Sequence, residues 1–149
     1  MPIVPQNVSA QQRRFTARSY IPTTAAASDD NWPLLYAEYA LRIVSGYVIF
    51  SVDVTGHATN YTTLTIQDRG SAGSGTTAAC QLAFTAATTH ADNTQVVLTN
   101  STTAANLDIA AGSCLAFDKT DANSGLAIPD SIVVVEYEFT DQEAREQLA

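Results

Sequence analysis

The chain has 149 residues and a formal net charge of −8, and only 15% of its residues are charged, against about a quarter in an average soluble domain. That length makes one domain with a core of its own. The acidic balance argues against nucleic acid as a partner, because phosphate binding needs clustered Lys and Arg, and no stretch approaches the ~18 apolar residues of a membrane span.

The hydrophobic 46% is carried by Ala, Val, Leu and Ile interleaved with abundant Thr and Ser. Such a composition fits a β-protein that offers neutral surface to other protein. The charge is unevenly placed. Residues 1–28 hold Arg13, Arg14 and Arg18 and no acid (+3), while the remaining residues hold four basic and fifteen acidic side chains (−11).

Residues 1–33 lack periodicity and carry Pro2, Pro5, Pro22 and Pro33, so they read as an extended arm. Phe15, Tyr20, Ile21 and Trp32 stud that arm as anchors. It either docks on an acidic protein surface or packs across its own domain. Pro2-Ile-Val-Pro5 has neither the charged nor the apolar part of a secretion signal. The expectation is synthesis in a cytoplasm, with Cys80 and Cys114 as buried free thiols.

From residue 34 strand follows strand. Ala37, Tyr39, Leu41 and Ile43 alternate with polar neighbours, Ser45-Gly46 turns the chain, and Val48, Phe50, Val52 and Val54 alternate again. Further strands are expected over Tyr61–Gln67 and Thr77–Thr85, at Val96 and Leu98, at Leu107 and Ile109, and at Leu115 and Phe117. The eighth, residues 131–140, is the longest. Val133, Val135, Tyr137 and Phe139 fall on one face and Ile132, Val134, Glu136 and Glu138 on the other. Eight strands with turn residues between them predict a two-sheet sandwich or barrel. Residues 141–149 could add two helical turns with Asp141 as N-cap. The expected divisions are an arm over 1–33, a β-domain over 34–140 and a tail over 141–149.

Few motifs carry chemistry. Gly70-Ser-Ala-Gly73-Ser-Gly75 lacks the Lys-Ser/Thr and the helix of a phosphate loop and reads as an inter-strand loop. Asp118–Gly125 alternates acidic and amide oxygens but lacks the closing Glu of a calcium loop, so an Asx-rich turn is the simpler reading. His57 and His90 sit in separate loops outside any ligand pattern and read as solvent-exposed. Three glycosylation sequons, beginning at Asn7, Asn60 and Asn100, are expected by chance in so Thr- and Ser-rich a chain. No nucleophile elbow and no carboxylate pair stand out. No enzyme, metal or cofactor is expected.

The C-terminal third resembles a known group. The order Asn106-Leu-Asp-Ile-Ala-Ala-Gly112-Ser-Cys-Leu-Ala-Phe-Asp118, then Asn123-Ser-Gly-Leu-Ala-Ile-Pro129, then Ser131-Ile-Val-Val-Val-Glu-Tyr137 is similar to phage jelly-roll structural proteins. Tyr61-Thr-Thr-Leu-Thr-Ile66 before a Gly-rich loop fits the same layout. The group is the small capsid decoration, or cement, proteins of tailed phages, with related jelly-roll domains in head and tail fibres. The resemblance covers about residues 36–140. It implies an all-β, eight-stranded antiparallel jelly-roll sandwich with an extended N-terminal arm, assembling as a homotrimer. It also implies that the protein stabilises the head on its outer capsid surface by bridging major capsid protein subunits. In that case Arg13, Arg14, Phe15, Arg18, Tyr20 and Trp32 are the expected contact residues, since Arg and aromatic side chains anchor interfaces. The alternative is a receptor- or carbohydrate-binding jelly roll of a head or tail fibre, using Tyr47, His57, Tyr61 and the loop Asp118–Gly125.

Overall fold

A computed structural model describes residues 14–140. Its strands in chain order are β1 (Phe15–Ile21), β2 (Asp30–Tyr36), β3 (Leu41–Phe50), β4 (Val54–Thr55), β5 (Thr62–Asp68), β6 (Thr77–Ala83), β7 (Thr89–His90) and β8 (Val96–Asn100). A 3-10 turn at Ala104–Leu107 leads into β9 (Asp108–Ile109), followed by β10 (Cys114–Asp121) and β11 (Ser131–Phe139).

Eight principal strands pair as a long hairpin folded over on itself. The first pairs with the last (β1 with β11), then β2 with β10, β3 with β8 and β5 with β6, all antiparallel. Sideways pairing of β11 with β3 and of β10 with β5 lays these hairpins into two sheets, β1–β11–β3–β8 and β2–β10–β5–β6. Nested pairing rolled into two facing sheets is the jelly-roll arrangement. The short pairs β4–β7 and β3–β9 lie off this path.

Strand β8 joins the sheets. Its Val96–Leu98 part pairs with β3, and Thr99 and Asn100 pair with β6. Gly46 sits opposite Leu98 at this corner, and a Cβ there would collide with Ile66 Cδ1 of the facing sheet. Glycine lets β3 approach this closely without displacing the buried Ile66 side chain.

Between the sheets lies an apolar core. Val48, Val133 and Val135 face inward from one sheet and Leu64, Ile66, Leu115 and Phe117 from the other, each at most 1% exposed. Phe50, the last residue of β3, meets Phe84, just after β6, edge-on at 5.9 Å. Burying each of these side chains contributes about 1.5–3 kcal/mol.

An ion pair lies inside. Lys119 is 1% exposed, and its Nζ donates to Ala25 O (3.3 Å), Ser28 O (2.7 Å) and Asp121 Oδ2 (2.5 Å). Asp121 also accepts from Thr62 Oγ1 at 2.5 Å and from the Ser28 amide at 3.0 Å. Gly125 packs on this carboxylate so closely that a Cβ would overlap it. Burial alone would raise the Asp121 pKa, but hydrogen bonds from Lys119 and Thr62 and the Lys119 charge bring it below the usual carboxylate range. The network, with the Thr24–Ile128 bridge, pins the connector between β1 and β2 onto the body.

Several sequence expectations are corrected. Residues 15–36, read largely as an arm, form two of the eight principal strands, and the expected boundary at 33/34 falls inside β2. Ser45-Gly46 does not turn the chain. It lies within the ten-residue β3, where a bulge at Val44 shifts the register against β11. The strand expected through Val54 stops at Phe50, where the Ser51 amide donates to Asp130 O and redirects the chain. Leu107 belongs to a 3-10 turn, and Asp118–Asp121 is strand rather than turn. His90 lies in β7, half-buried and edge-on to Phe84 at 4.9 Å. The expected tail helix lies outside the described residues. Cys80 and Cys114 are free, and burial pushes the Cys80 thiol up to about 11.

Candidate functional site

The alternation of β11 decides what its sheet shows to solvent. With Val133 and Val135 turned inward, Ile132, Val134 and Glu136 turn outward. Antiparallel register puts directly opposed residues on the same face. Tyr20, Ile132 and Ile49 therefore form one outward row, and Arg18, Val134, Tyr47 and Val97 the next. Thr16, Glu136 and Ser45 form a third, closed by a hydrogen bond from Ser45 Oγ to Glu136 at 2.8 Å.

The first row is apolar, with Tyr20 and Ile132 exposed and Ile49 half-buried. The second starts at charged Arg18, buries Val134 at 2% exposure and leaves Val97 open to water. Tyr20 is 64% exposed, Val97 56% and Ile132 44%, three of the five large hydrophobic side chains most exposed among the described residues. Arg18 closes the second row on β1, and Arg14, also exposed, lies just before that strand. An apolar patch rimmed by charge is what protein-binding surfaces present.

Tyr20 is held in place from below. Its phenol hydrogen-bonds Asp130, which raises its pKa above the ordinary tyrosine value. Asp130 in turn accepts from the Thr23 amide (2.7 Å) and hydroxyl (2.9 Å), and these bonds, with that from Tyr20, keep its carboxyl below the usual range. The ring is thus braced at the edge of the patch by the same turn that ends β1.

The sequence-predicted contact residues divide. Arg18 and Tyr20 lie on this outer face, and Arg14 is exposed just before β1. Phe15 points inward and packs on Tyr137 (5.8 Å) and Phe139 (5.0 Å). Trp32 turns inward against Phe117 at 6.0 Å and is half-buried, a core contact rather than a free anchor. Arg13 lies outside the described residues. Sequence reasoning missed Ile132, Ile49 and Val97. The signal was the unalternated run Ile132-Val-Val-Val135, which places apolar side chains on both faces of one strand.

Of the residues of the alternative reading, His57, Tyr61 and the loop after β10 come together and Tyr47 does not. His57 and Tyr61 lie by the loop after β10, where Asn123 Nδ2 donates to Thr59 O (2.7 Å) and the Ala122 amide to Tyr61 O (2.9 Å). His57 Nδ1 is engaged by the Thr59 and Asn60 amides. Tyr47 stands apart on the outer face of β3. A groove of about 530 Å³ beside β6 is lined by small and uncharged residues, among them Ala78, Ala83, Thr99 and Ser101. Among the described residues no three His, Cys, Asp or Glu side chains come together as a metal site, and no helix is long and apolar enough to cross a membrane.

No family model matches this chain. No curated protein sequence matches it either. Among solved structures, a chain from "Structure of infectious bursal disease virus Gx strain" aligns at 16% identity over 90% of this chain and 36% of that one, with a TM-score of 0.26. This chain therefore spans about a third of its neighbour. So loose a superposition carries no argument, and the jelly-roll assignment rests on the nested strand pairing.

Proposed function

We propose that this protein is a non-enzymatic virion component, a capsid decoration or cement protein that sits on the outer surface of a phage head and bridges major capsid subunits. The supporting observation is the open apolar face of the β1–β11–β3–β8 sheet, bordered by Arg14 and Arg18. Buried at a joint between shell subunits, such a face would contribute through the hydrophobic effect, and the arginines would steer it to an acidic surface. As a homotrimer the protein would hold several subunits at once, and linked weak contacts would add up to firm attachment.

The test is co-sedimentation with shells of the same virus that lack the protein. Deleting residues 1–33 is unsuitable, because that removes β1 and half of β2. Arg18→Glu combined with Tyr20→Ala alters the patch alone, and Gln81→Ala alters the opposite outer face as a control. Expected are saturable binding near one trimer per three-fold position, at least tenfold weaker for the double variant and unchanged for Gln81→Ala. Full binding by the double variant would remove this face from the mechanism. No binding by the unmodified protein would end the capsid reading and favour a glycan receptor.

A further inference from the structure

The rolled sheet ends in two edge strands, β1 and β2, and they are built differently. β2 contains Pro33, which lacks a donor N–H, and a register shift against β10 leaves Leu34 unmatched. Both interrupt the even row of backbone groups that a further strand would need. β1 has no such interruption. Its seven residues run in unbroken register along β11 and include no Pro or Gly. Among the described residues no strand is hydrogen-bonded along its other edge. The inward side chains of β1 are Phe15, Ala17, Ser19 and Ile21, so no inward charge guards it either.

We propose that the free edge of β1 is a strand-addition site for an extended, acidic segment of another protein. The edge is about 23 Å long at the usual strand rise, enough for the backbone ladder that such recognition uses. Charge selects the occupant. Arg18 stands on the outward side of β1 and Arg14 just before its first residue, both exposed. The one acid directly opposite this stretch, Glu136 across from Thr16, belongs to β11 on the side away from the free edge and is bonded by Ser45. A strand laid alongside puts alternate side chains opposite these positions, where carboxylates are attracted and Lys or Arg repelled. A second copy of β1 would bring four guanidinium groups into one short seam. The arginines that keep identical edges apart therefore admit an acidic one. The connector pinned by Lys119 and by the Thr24–Ile128 bridge holds β1 on its own body while the edge is engaged. This inference stands whether or not the partner is a shell subunit.

The full-length protein is titrated with end-capped, fluorescein-labelled Thr-Glu-Val-Glu-Thr-Glu-Val-Glu, with the same peptide carrying Lys for Glu, and with two N-methylated forms of the Glu peptide. One form is methylated at the Glu amides and the other at the intervening amides. A paired strand aims alternate amides at its neighbour, so one methylated form should bind as the parent does and the other at least tenfold more weakly. The Lys peptide should bind at least tenfold more weakly than the Glu peptide, and Arg14→Glu with Arg18→Glu should reverse that preference. Amide exchange should slow at alternate residues of 15–21. Equal binding of the Glu and Lys peptides, equal behaviour of the two methylated forms, or unchanged β1 exchange at saturation would each overturn the proposal. So would the absence of binding at millimolar peptide, which would leave the arginines as guards against self-pairing.

Discussion

The two outer faces of the sandwich solve the problem of meeting water in opposite ways. On the β2–β10–β5–β6 sheet the outward rows hold Asn31, Thr63, Thr65, Gln81, Asp118 and Thr120. Much of that polarity is answered within the face. Asp118 accepts from Asn31 Nδ2 at 3.1 Å and from Thr120 Oγ1 at 2.8 Å. The β1–β11–β3–β8 sheet instead offers Tyr20, Ile132, Ile49, Tyr47 and Val97. Tyr20 apart, whose phenol is bonded to Asp130, these side chains have no hydrogen-bonded partner in the face among the described residues, and covering their apolar surface is favourable. One sheet answers most of its outward polarity within the chain, with Tyr36 as its exposed aromatic, and the other leaves Tyr20, Ile132 and Val97 open to water.

Substitutions on each sheet test that contrast. The largest effect is expected at Lys119, whose side chain reaches in from β10 of the polar sheet. Lys119→Ala leaves the Asp121 carboxylate buried without its cation, and urea unfolding should show a loss of about 3–5 kcal/mol. The folded fraction should still bind shells, because the apolar face is untouched. A variant as stable as the parent would mean that Asp121 finds water or another donor.

Acid should reach the same network. The folded pKa of Asp121 lies below its unfolded value, so its contribution is present above the usual carboxylate pKa, about 3.9, and is lost as pH falls through the folded value. The melting temperature should drop below about pH 4, and Asp121→Asn should flatten that part of the profile. An unchanged slope in the variant would assign the acid loss to other carboxylates.

The smallest stability effects are expected on the open sheet. Ile132→Ser and Val97→Ser replace exposed side chains, and each should change unfolding free energy by only about 0.5 kcal/mol or less. Together they should weaken shell attachment at least tenfold in co-sedimentation. Attachment that survives both would put the contact elsewhere. Arg18→Glu should weaken attachment more at low salt than at high salt, since exposed charges are screened.

How much of this was legible beforehand varied with the physics of each segment. β11 was legible nearly to the residue, expected over 131–140 and found as Ser131–Phe139, because β-branched residues in period two leave little choice. Eight principal strands were also expected and found, but by compensating differences. β1 and β2 were hidden by Pro22, Pro33 and their polar outward residues, which suit edge strands as well as they suit an arm. In exchange, the short strand expected at Leu107 and Ile109 is only the two-residue β9, and the segments on either side of Ser45-Gly46 proved to be one strand, because a glycine that usually marks a turn was serving a close approach at a sheet corner. Of the outer patch, Arg18 and Tyr20 could be named from residue type alone. Ile49 and Val97 could not, since they join it only through the register of β3 with β11 and β8.

The nested pairing also sets how the domain meets mechanical load. Because the first strand pairs with the last, Phe15 and Tyr137 share a rung at the same end of one ladder. Tension applied through residues 14 and 140 falls on that rung alone and then on the next, like a zip drawn from its open end. Single-molecule pulling from those positions should peel β1 from β11 stepwise at low force. Pulling between Ile21 and Phe139, at opposite ends of the same ladder, loads all its rungs together and should require markedly more.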